Sequence, residues 1–435
     1  MDVIVAKSSP RQAINVNALY PMRIIGLGGQ AGVWLAEDRS SSRICVAKQY
    51  QKCHVMNRIK AERMLAEKAC MDTCGKHPFL TTLLTTFQTS ESFFFVIELA
   101  IGGDLMTLAE QSYRTGMPEA TARHYCACLV LALRWLHTHG WIYRDIKLEN
   151  VLINEHGNAT LCDFGFAKRL EPGGRAYSLC GTVEYTPPEL LWGQGRGPAG
   201  DWWALGVLLH EMLTGYNCFG DGDESEEKSM KEIKAYAAGG EQAADQLEHA
   251  VLEACSFKGG GRASEEEEPL SREGASFMRG LLNVVEEQRL GEDERFHELM
   301  NHPWVAGVDW EGMLHHAAKA PWLPPTDTYI HLPCYSLRSE DASILRTNGL
   351  TIDEELWKSD FSDFGPMRSE PWSMIDDSEQ AIDCGPGAFP DRTIELSPVT
   401  PRPCTRQHSK ATESEADSSA ASSASYINIY REKSV

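Results

Sequence analysis

The sequence predicts an α+β chain folded as two lobes, a small strand-rich lobe first and a larger, mainly helical lobe after it. Three observations predict this. The 435 residues suffice for two cores plus extensions. Before residue 100, short apolar stretches punctuated by glycine read as strands around a single helical segment. From residue 118 onward, apolar residues recur at helical spacing instead.

Residues 1–19 carry no strong periodicity and read as an N-terminal extension. From Arg23 the chain turns strand-like, and Ile44-Cys45-Val46-Ala47-Lys48 reads as a further strand. Asn57 to Met71 is rich in strong helix formers, among them Ala61, Glu62, Met64, Leu65, Ala66, Glu67 and Lys68, and predicts a helix. Phe93 to Ala100 returns to strand. Pro118 opens a long helix that Gly140 closes, with Tyr125, Leu129, Leu133 and Leu136 on one buried face. Trp202 to Leu213 predicts another helix. Residues from about 220 to 270 look inserted: Gly220 to Glu227 and Glu265 to Glu268 are acidic, with Gly259-Gly260-Gly261 between them. That stretch is expected to be mostly solvated loop or mobile helix. After about residue 315 the pattern dissolves, and the end around Ser418-Ser419 and Ser422-Ser423 is expected to be disordered.

Composition narrows the function classes. A hydrophobic content of 42% with 24% charged residues is ordinary for a soluble globular protein. The net charge of −21 argues against a nucleic-acid or anionic-membrane partner, since both are polyanions. The start, with Asp2 and no long apolar run, predicts neither a signal peptide nor N-myristoylation. Phe93 to Ile97 is far too short to span a bilayer. The 13 cysteines form no CxxC pairs, so they read as reduced intracellular thiols, and the expected location is the cytoplasm, with the nucleus also open.

Four constellations carry chemistry. Gly26-Leu27-Gly28-Gly29-Gln30-Ala31-Gly32-Val33 is a turn whose amides can approach phosphate oxygens; alone it is a weak signal and reads more readily as an ordinary hairpin. Lys48 on a strand, followed by Glu67 on a helix, supplies a cation for phosphates and a carboxylate to aim it. Tyr143-Arg144-Asp145-Ile146-Lys147-Leu148-Glu149-Asn150, followed by Asp163-Phe164-Gly165, is the decisive pattern. Phosphoryl transfer needs positioning and charge neutralisation more than covalent chemistry. Asp145 can accept or orient an acceptor hydroxyl, Lys147 can neutralise the γ-phosphate, and Asn150 and Asp163 offer hard oxygen ligands for Mg2+. Last, Ser178 to Glu189 followed by Asp201-Trp202-Trp203 matches the protein-kinase signature set, with Pro187 where alanine is usual.

These motifs resemble the AGC group of serine/threonine protein kinases, most nearly the catalytic chains of the cyclic-AMP- and cyclic-GMP-dependent kinases. The resemblance implies a bilobal kinase domain over residues 20–304 (N-lobe 20–99, C-lobe 100–304, acidic insertion about 220–270), an AGC-type tail over 305–371 and a disordered tail over 372–435. It implies ATP and Mg2+ as cofactors. Gly26, Leu27 and Gly28 would cover the phosphates; Val33, Ala47 and Val151 would sandwich adenine; Ile97 would guard the pocket, and the backbone of Glu98 and Ala100 would bond the adenine edge. Glu67 would pair with Lys48, Glu189 with Arg289 as a buried structural pair, and Asp201 would be structural too. Met71, Leu83, Tyr143 and Phe164 would stack as an apolar spine. Ser178 falls at the activating phosphosite, with Arg144 and Arg63 as its phosphate grips. Asp104, Glu149, Glu184 and Glu211, with Thr182, fall where related kinases bind substrate, which implies a preference for arginine at −3 and −2. Phe361-Ser362-Asp363-Phe364 resembles the FxxF element that seats a tail on the small lobe.

The expected partners are protein substrates with basic motifs and an upstream kinase or regulatory chain. Two rival readings are a pseudokinase scaffold, to which Ala31 (in the third glycine slot of the turn), Pro187 and the acidic insertion lend some weight, and a small-molecule kinase. The first leaves intact Lys48, Glu67, Asp145, Lys147, Asn150 and Asp163 without a use; the second does not need the segment from Gly181 to Glu189.

Overall fold

Five antiparallel strands build the small lobe: β1 (Leu19–Leu27), β2 (Ala31–Asp38), β3 (Arg43–Gln51), β4 (Leu83–Gln88) and β5 (Ser92–Ile97), in the order β1-β2-β3-β5-β4. Between β3 and β4 lie α1 (Lys52–Val55) and α2 (Arg58–Cys74). The computed structural model describes residues 13–27, 31–55, 58–113, 115–220, 225–256, 269–292, 295–325, 364–366, 368 and 372. Gly28 and Phe361, both singled out above, lie outside the described residues, as do residues 373–435.

Strand alternation divides the sheet into two faces. One face packs Leu19, Ile24, Trp34, Ala36, Cys45, Ala47, Phe87, Phe94 and Val96 into a core. The other carries Val33, Lys48 and Phe95, which are cross-strand partners, together with Val46 and its partner Ile97. This corrects one expectation: Ala47 belongs to the core face, paired with Val96 and fully buried, so it does not wall a nucleotide site. Val46 sits two residues before Lys48 on β3 and shares the lysine's face, because the side-chain period of a strand is two.

The large lobe begins with α3 (Leu105–Ser112) and α4 (Glu119–Thr138). The predicted face of α4 is buried, Tyr125, Leu129, Leu133 and Leu136 all being fully enclosed. Two short hairpin-like pairings follow: β6 (Trp141–Ile142) with β9 (Lys168–Arg169), and β7 (Val151–Ile153) with β8 (Ala159–Leu161). Then come α5 (Pro188–Leu191) and α6 (Ala199–Thr214). Apolar nearly all round, α6 is the buried axis of the lobe and stops at Gly215, whose φ of 78° suits a residue without Cβ.

The described part of the acidic stretch departs from expectation; residues 259–261 and 265–268 lie outside the described residues. Glu226–Ser256, labelled α7, is two helical stretches broken at Gly240, whose φ of 54° and ψ of −135° are not helical, and together they bury Ile233, Tyr236, Ala237, Leu247 and Val251. Tyr236 stacks edge-on against Trp203 and Phe219. Acidic residues outnumber basic ones here, yet apolar residues recur at helical spacing, so the segment packs as part of the lobe instead of looping out. The lobe closes with α8 (Arg272–Leu281), α9 (Phe296–Met300) and α10 (Trp310–Leu314).

The tail returns to the small lobe. Phe364 is buried against Phe93 and Phe95 on one face of the sheet, with ring centroids 4.8 and 5.2 Å away. Gln88 at the end of β4 donates to Pro366 and accepts from Arg368 through its backbone. Trp372 then lies on the opposite face, 4.8 Å from Phe94 and 5.6 Å from Phe87. The tail therefore crosses the β4 edge, which covers an otherwise open strand.

Candidate active site

Lys48, Glu67 and Asp163 meet beneath β1 and β2. Lys48 Nζ donates to Glu67 Oε1 and to Asp163 Oδ1, each at 2.9 Å. The β3–β5 ladder fixes the lysine, and α2 presents Glu67 across from it. Burial pulls the Lys48 ammonium down, but the Asp163 and Glu67 carboxylates outweigh it and hold its pKa well above the ordinary value. Lys48 in turn lowers the Asp163 pKa against the opposing effect of burial. A cavity of about 290 Å3 opens here, lined by Ala31, Val33, Lys48, Glu67, Arg63 and Asp163 among others.

The loop holding Asp145 is strained and tightly held. Arg144 sits at φ 73° and Asp163 at φ 54°, both in the left-handed region. Asp201 holds the first turn: its carboxylate accepts the backbone N–H groups of Tyr143 at 2.8 Å and Arg144 at 2.9 Å, and bonds His137 Nε2 at 2.8 Å. Burial alone would raise the Asp201 pKa, but His137 and these two N–H groups bring it below the usual carboxylate range. Sequence reasoning does not find His137; it lies 64 residues before Asp201, and no local pattern joins them.

Asn150 donates through Nδ2 to the Asp145 carbonyl at 2.8 Å and to Asp145 Oδ2 at 2.6 Å. Lys147 Nζ lies 3.7 Å from the same Oδ2 and donates to Thr182 Oγ1 at 3.2 Å. The other Asp145 oxygen, Oδ1, is buried and accepts from no side chain among the described residues; the Thr182 backbone N–H helps to hold the carboxylate. Burial raises the Asp145 pKa, with Lys147 and Asn150 opposing it. Gly181 closes the site from the other side at φ +88°; a Cβ there would lie 2.5 Å from the Arg144 carbonyl. The Cys162 N–H bonds the Asn150 carbonyl at 3.0 Å and so sets Asn150 beside Asp163. A carboxylate and an amide carbonyl are the donor types Mg2+ takes, and this pair fits it.

Of the residues expected to sandwich adenine, Val33 lies on the Lys48 face of the sheet, as do Val46 and Ile97, and Val151 is buried at the start of β7. Gly26 and Leu27 end β1 opposite Val33 and Gly32. The Glu98 N–H is taken by the Thr82 carbonyl at 3.0 Å, so an adenine edge would meet the Glu98 carbonyl and the Ala100 backbone. Of the expected spine, Tyr143 and Phe164 stack edge to face at 5.7 Å and are buried, as is Met71, while Leu83 is half-buried.

Around the acceptor side, Glu211 accepts from Tyr185 OH, and Glu184 from Ser229 Oγ at 3.2 Å. Burial pushes Glu211 up to about 7; the Tyr185 bond opposes this, and the charges of Glu149 and Glu184 add to it. Asp104 differs: its carboxylate caps α3 by accepting from Thr107 N at 2.7 Å and Thr107 Oγ1 at 2.9 Å, so its oxygens are already engaged. Arg144 Nη1 donates to Ser178 Oγ at 2.8 Å. Arg63, the expected second grip, instead stacks its guanidinium over the Phe166 ring at 5.1 Å. Burial lowers the Arg144 pKa, with Arg196 and Arg63 adding to this and Cys180 and Asp201 opposing it. Glu189 and Arg289 form the expected buried pair through two parallel bonds of 2.8 and 2.9 Å.

The comparisons agree with this geometry. The family model described as "Protein kinase domain" matches residues 20–305. Atypical protein kinase C of Drosophila melanogaster is 35% identical over 317 residues, covering 72% of this chain and 49% of that relative. Protein kinase C eta type of Mus musculus is 33% identical over 308 residues, covering 70% and 40%. Serine/threonine-protein kinase AtPK1/AtPK6 of Arabidopsis thaliana is 29% identical over 361 residues, covering 82% and 70%. The chain thus spans half or less of the length of its protein kinase C relatives. These relatives support the AGC-type resemblance, without a particular closeness to the cyclic-nucleotide-dependent kinases. With a lysine–glutamate pair, a held catalytic loop and a family match from residue 20 to residue 305, the chain belongs to the protein kinase family.

Proposed function

We propose that this chain transfers the γ-phosphate of ATP to serine or threonine hydroxyls of protein substrates. One observation carries the reading: Asn150 and Lys147 engage Asp145 through Oδ2, while Oδ1, on the side of the Thr182 backbone, accepts from no side chain among the described residues. An acceptor hydroxyl is the group that would satisfy it. Lys48, aimed by Glu67, would hold the α- and β-phosphates. Asn150 and Asp163 would hold Mg2+, which when bound supplies neutralisation of phosphate charge. Lys147, bridging Asp145 and Thr182, places a cation where the transferred group passes and ties the base to the peptide-docking segment. A scaffold without turnover would need none of this set.

The substrate preference is basic, with arginine upstream of the acceptor. Glu149, Glu184 and Glu211 crowd one another enough to help raise the Glu211 pKa to about 7, and a guanidinium would relieve that repulsion with charge-assisted bonds. Phosphorylation of Ser178 activates the chain, because the added charge would meet the Arg144 guanidinium that already donates to the Ser178 hydroxyl. A labelled-ATP assay on a peptide library tests the reading. Labelled serine and threonine peptides with arginine at −3 or −2 are expected. An acidic or proline-directed preference overturns the substrate claim, and no transfer to any peptide or protein overturns the activity.

A further inference from the structure

Strand β3 places Lys48 and Tyr50 on the same face, two residues apart. The Tyr50 ring lies 5.3 Å from Lys48 Nζ. Its hydroxyl donates to Glu67 Oε2 at 2.7 Å, while Lys48 holds Glu67 Oε1 at 2.9 Å. Both oxygens of the buried carboxylate are therefore engaged from β3. We propose that Tyr50 is a positioning residue for phosphoryl transfer, its hydroxyl locking Glu67 in the orientation that aims Lys48 at the nucleotide phosphates.

The inference rests on the kinase reading above and goes beyond it. A glutamate held by one lysine joins two long side chains, each with considerable rotamer freedom to lose. A tyrosine delivers its hydroxyl on a stiff ring with only two rotatable bonds. That ring is itself fixed: Tyr50 is 6% exposed and packs edge-on against Phe95, with centroids 5.5 Å apart. The bond it makes joins a hydroxyl to an ionised acceptor out of water, where such bonds are strong. Phenylalanine at this position would fill the same space but leave Glu67 Oε2 buried without its donor, free to draw Glu67 away from Lys48. Nothing in the lysine's own strand motif marks this role, since it depends on α2 lying across β3.

The test is steady-state kinetics on a labelled peptide with the full chain, for wild type, Tyr50→Phe, Glu67→Ala and the double variant, with melting curves alongside. Tyr50→Phe is expected to lower kcat about tenfold, about 1.4 kcal/mol in the barrier, with peptide KM within about twofold of wild type. In the Glu67→Ala background the same change is expected to alter kcat less than about twofold, because the tyrosine acts through the glutamate. Tyr50→Leu, which also lacks the hydroxyl, should repeat the result and serves if Tyr50→Phe folds poorly. A wild-type kcat in either single variant, or an equal loss in both backgrounds, overturns the inference. A wild type with no transfer above an Asp145→Ala control overturns the kinase reading, and this inference with it.

Discussion

Removing Glu189 should unfold the large lobe early without touching any reacting atom. Arg289 is fully buried and donates to both Glu189 oxygens, to the Ala199 carbonyl and, through Nε, to the Asn283 carbonyl. Its guanidinium also lies 5.3 Å over the Trp203 ring. Glu189→Ala would leave the two carbonyls but strip the compensating charge, stranding a buried cation. Breaking one side of such a pair costs about 3–5 kcal/mol. At about 2 °C per kcal/mol for a large domain, melting should fall by about 6–10 °C. Calorimetry with and without ATP measures this. The double variant Glu189→Leu with Arg289→Met should recover much of the loss, because an apolar pair leaves no uncompensated charge. A single variant that melts within about 1 °C of wild type would refute the reasoning, as would a double variant worse than Glu189→Ala.

Three further residues give measurable outcomes. Glu211 is raised by burial to about 7, so it is mostly protonated below that pH and charged above it; KM for an arginine-containing peptide should fall severalfold between about pH 6 and 8, and Glu211→Gln should flatten the change. By the same sign, this group favours the folded state at low pH and loses that contribution as pH rises from the ordinary 4.5 toward about 7, which a pH series of melting curves reads. Ser178→Ala should lower the activity of the phosphorylated enzyme on the order of tenfold, since one or more charge-assisted bonds to Arg144 are lost; phosphatase treatment of wild type should match it. Phe364→Ala should cost about 3 kcal/mol at the tail's seat by emptying the space between Phe93 and Phe95, and limited proteolysis should then cut the tail sooner.

The catalytic residues are legible in the sequence because their spacing is itself the signal. Asp145, Lys147 and Asn150 sit on one tight turn, and Asp163 follows on the next loop, so chain order alone brings them together. Residues whose roles depend on packing between elements are not legible. Tyr50 acquires a role only when α2 crosses β3, and His137 only when α4 passes α6. Motif position alone puts Ala47 at the nucleotide, whereas the two-residue alternation of β3 turns it to the core and sets Val46 beside Lys48. Asp104 reads as a substrate carboxylate, yet it also sits one residue before α3, where a side-chain acceptor caps the first turn. In the acidic stretch, composition outweighs the sparse apolar positions that anchor α7, although it is those positions that decide its packing.

The account depends on Asp145 acting on the acceptor hydroxyl. Single-turnover transfer from γ-labelled ATP to an arginine-containing serine peptide, comparing wild type with Asp145→Ala, tests it most directly. The rate is predicted to fall by about 10²–10⁴-fold while ATP binding is retained. Equal rates from the two proteins would contradict the account.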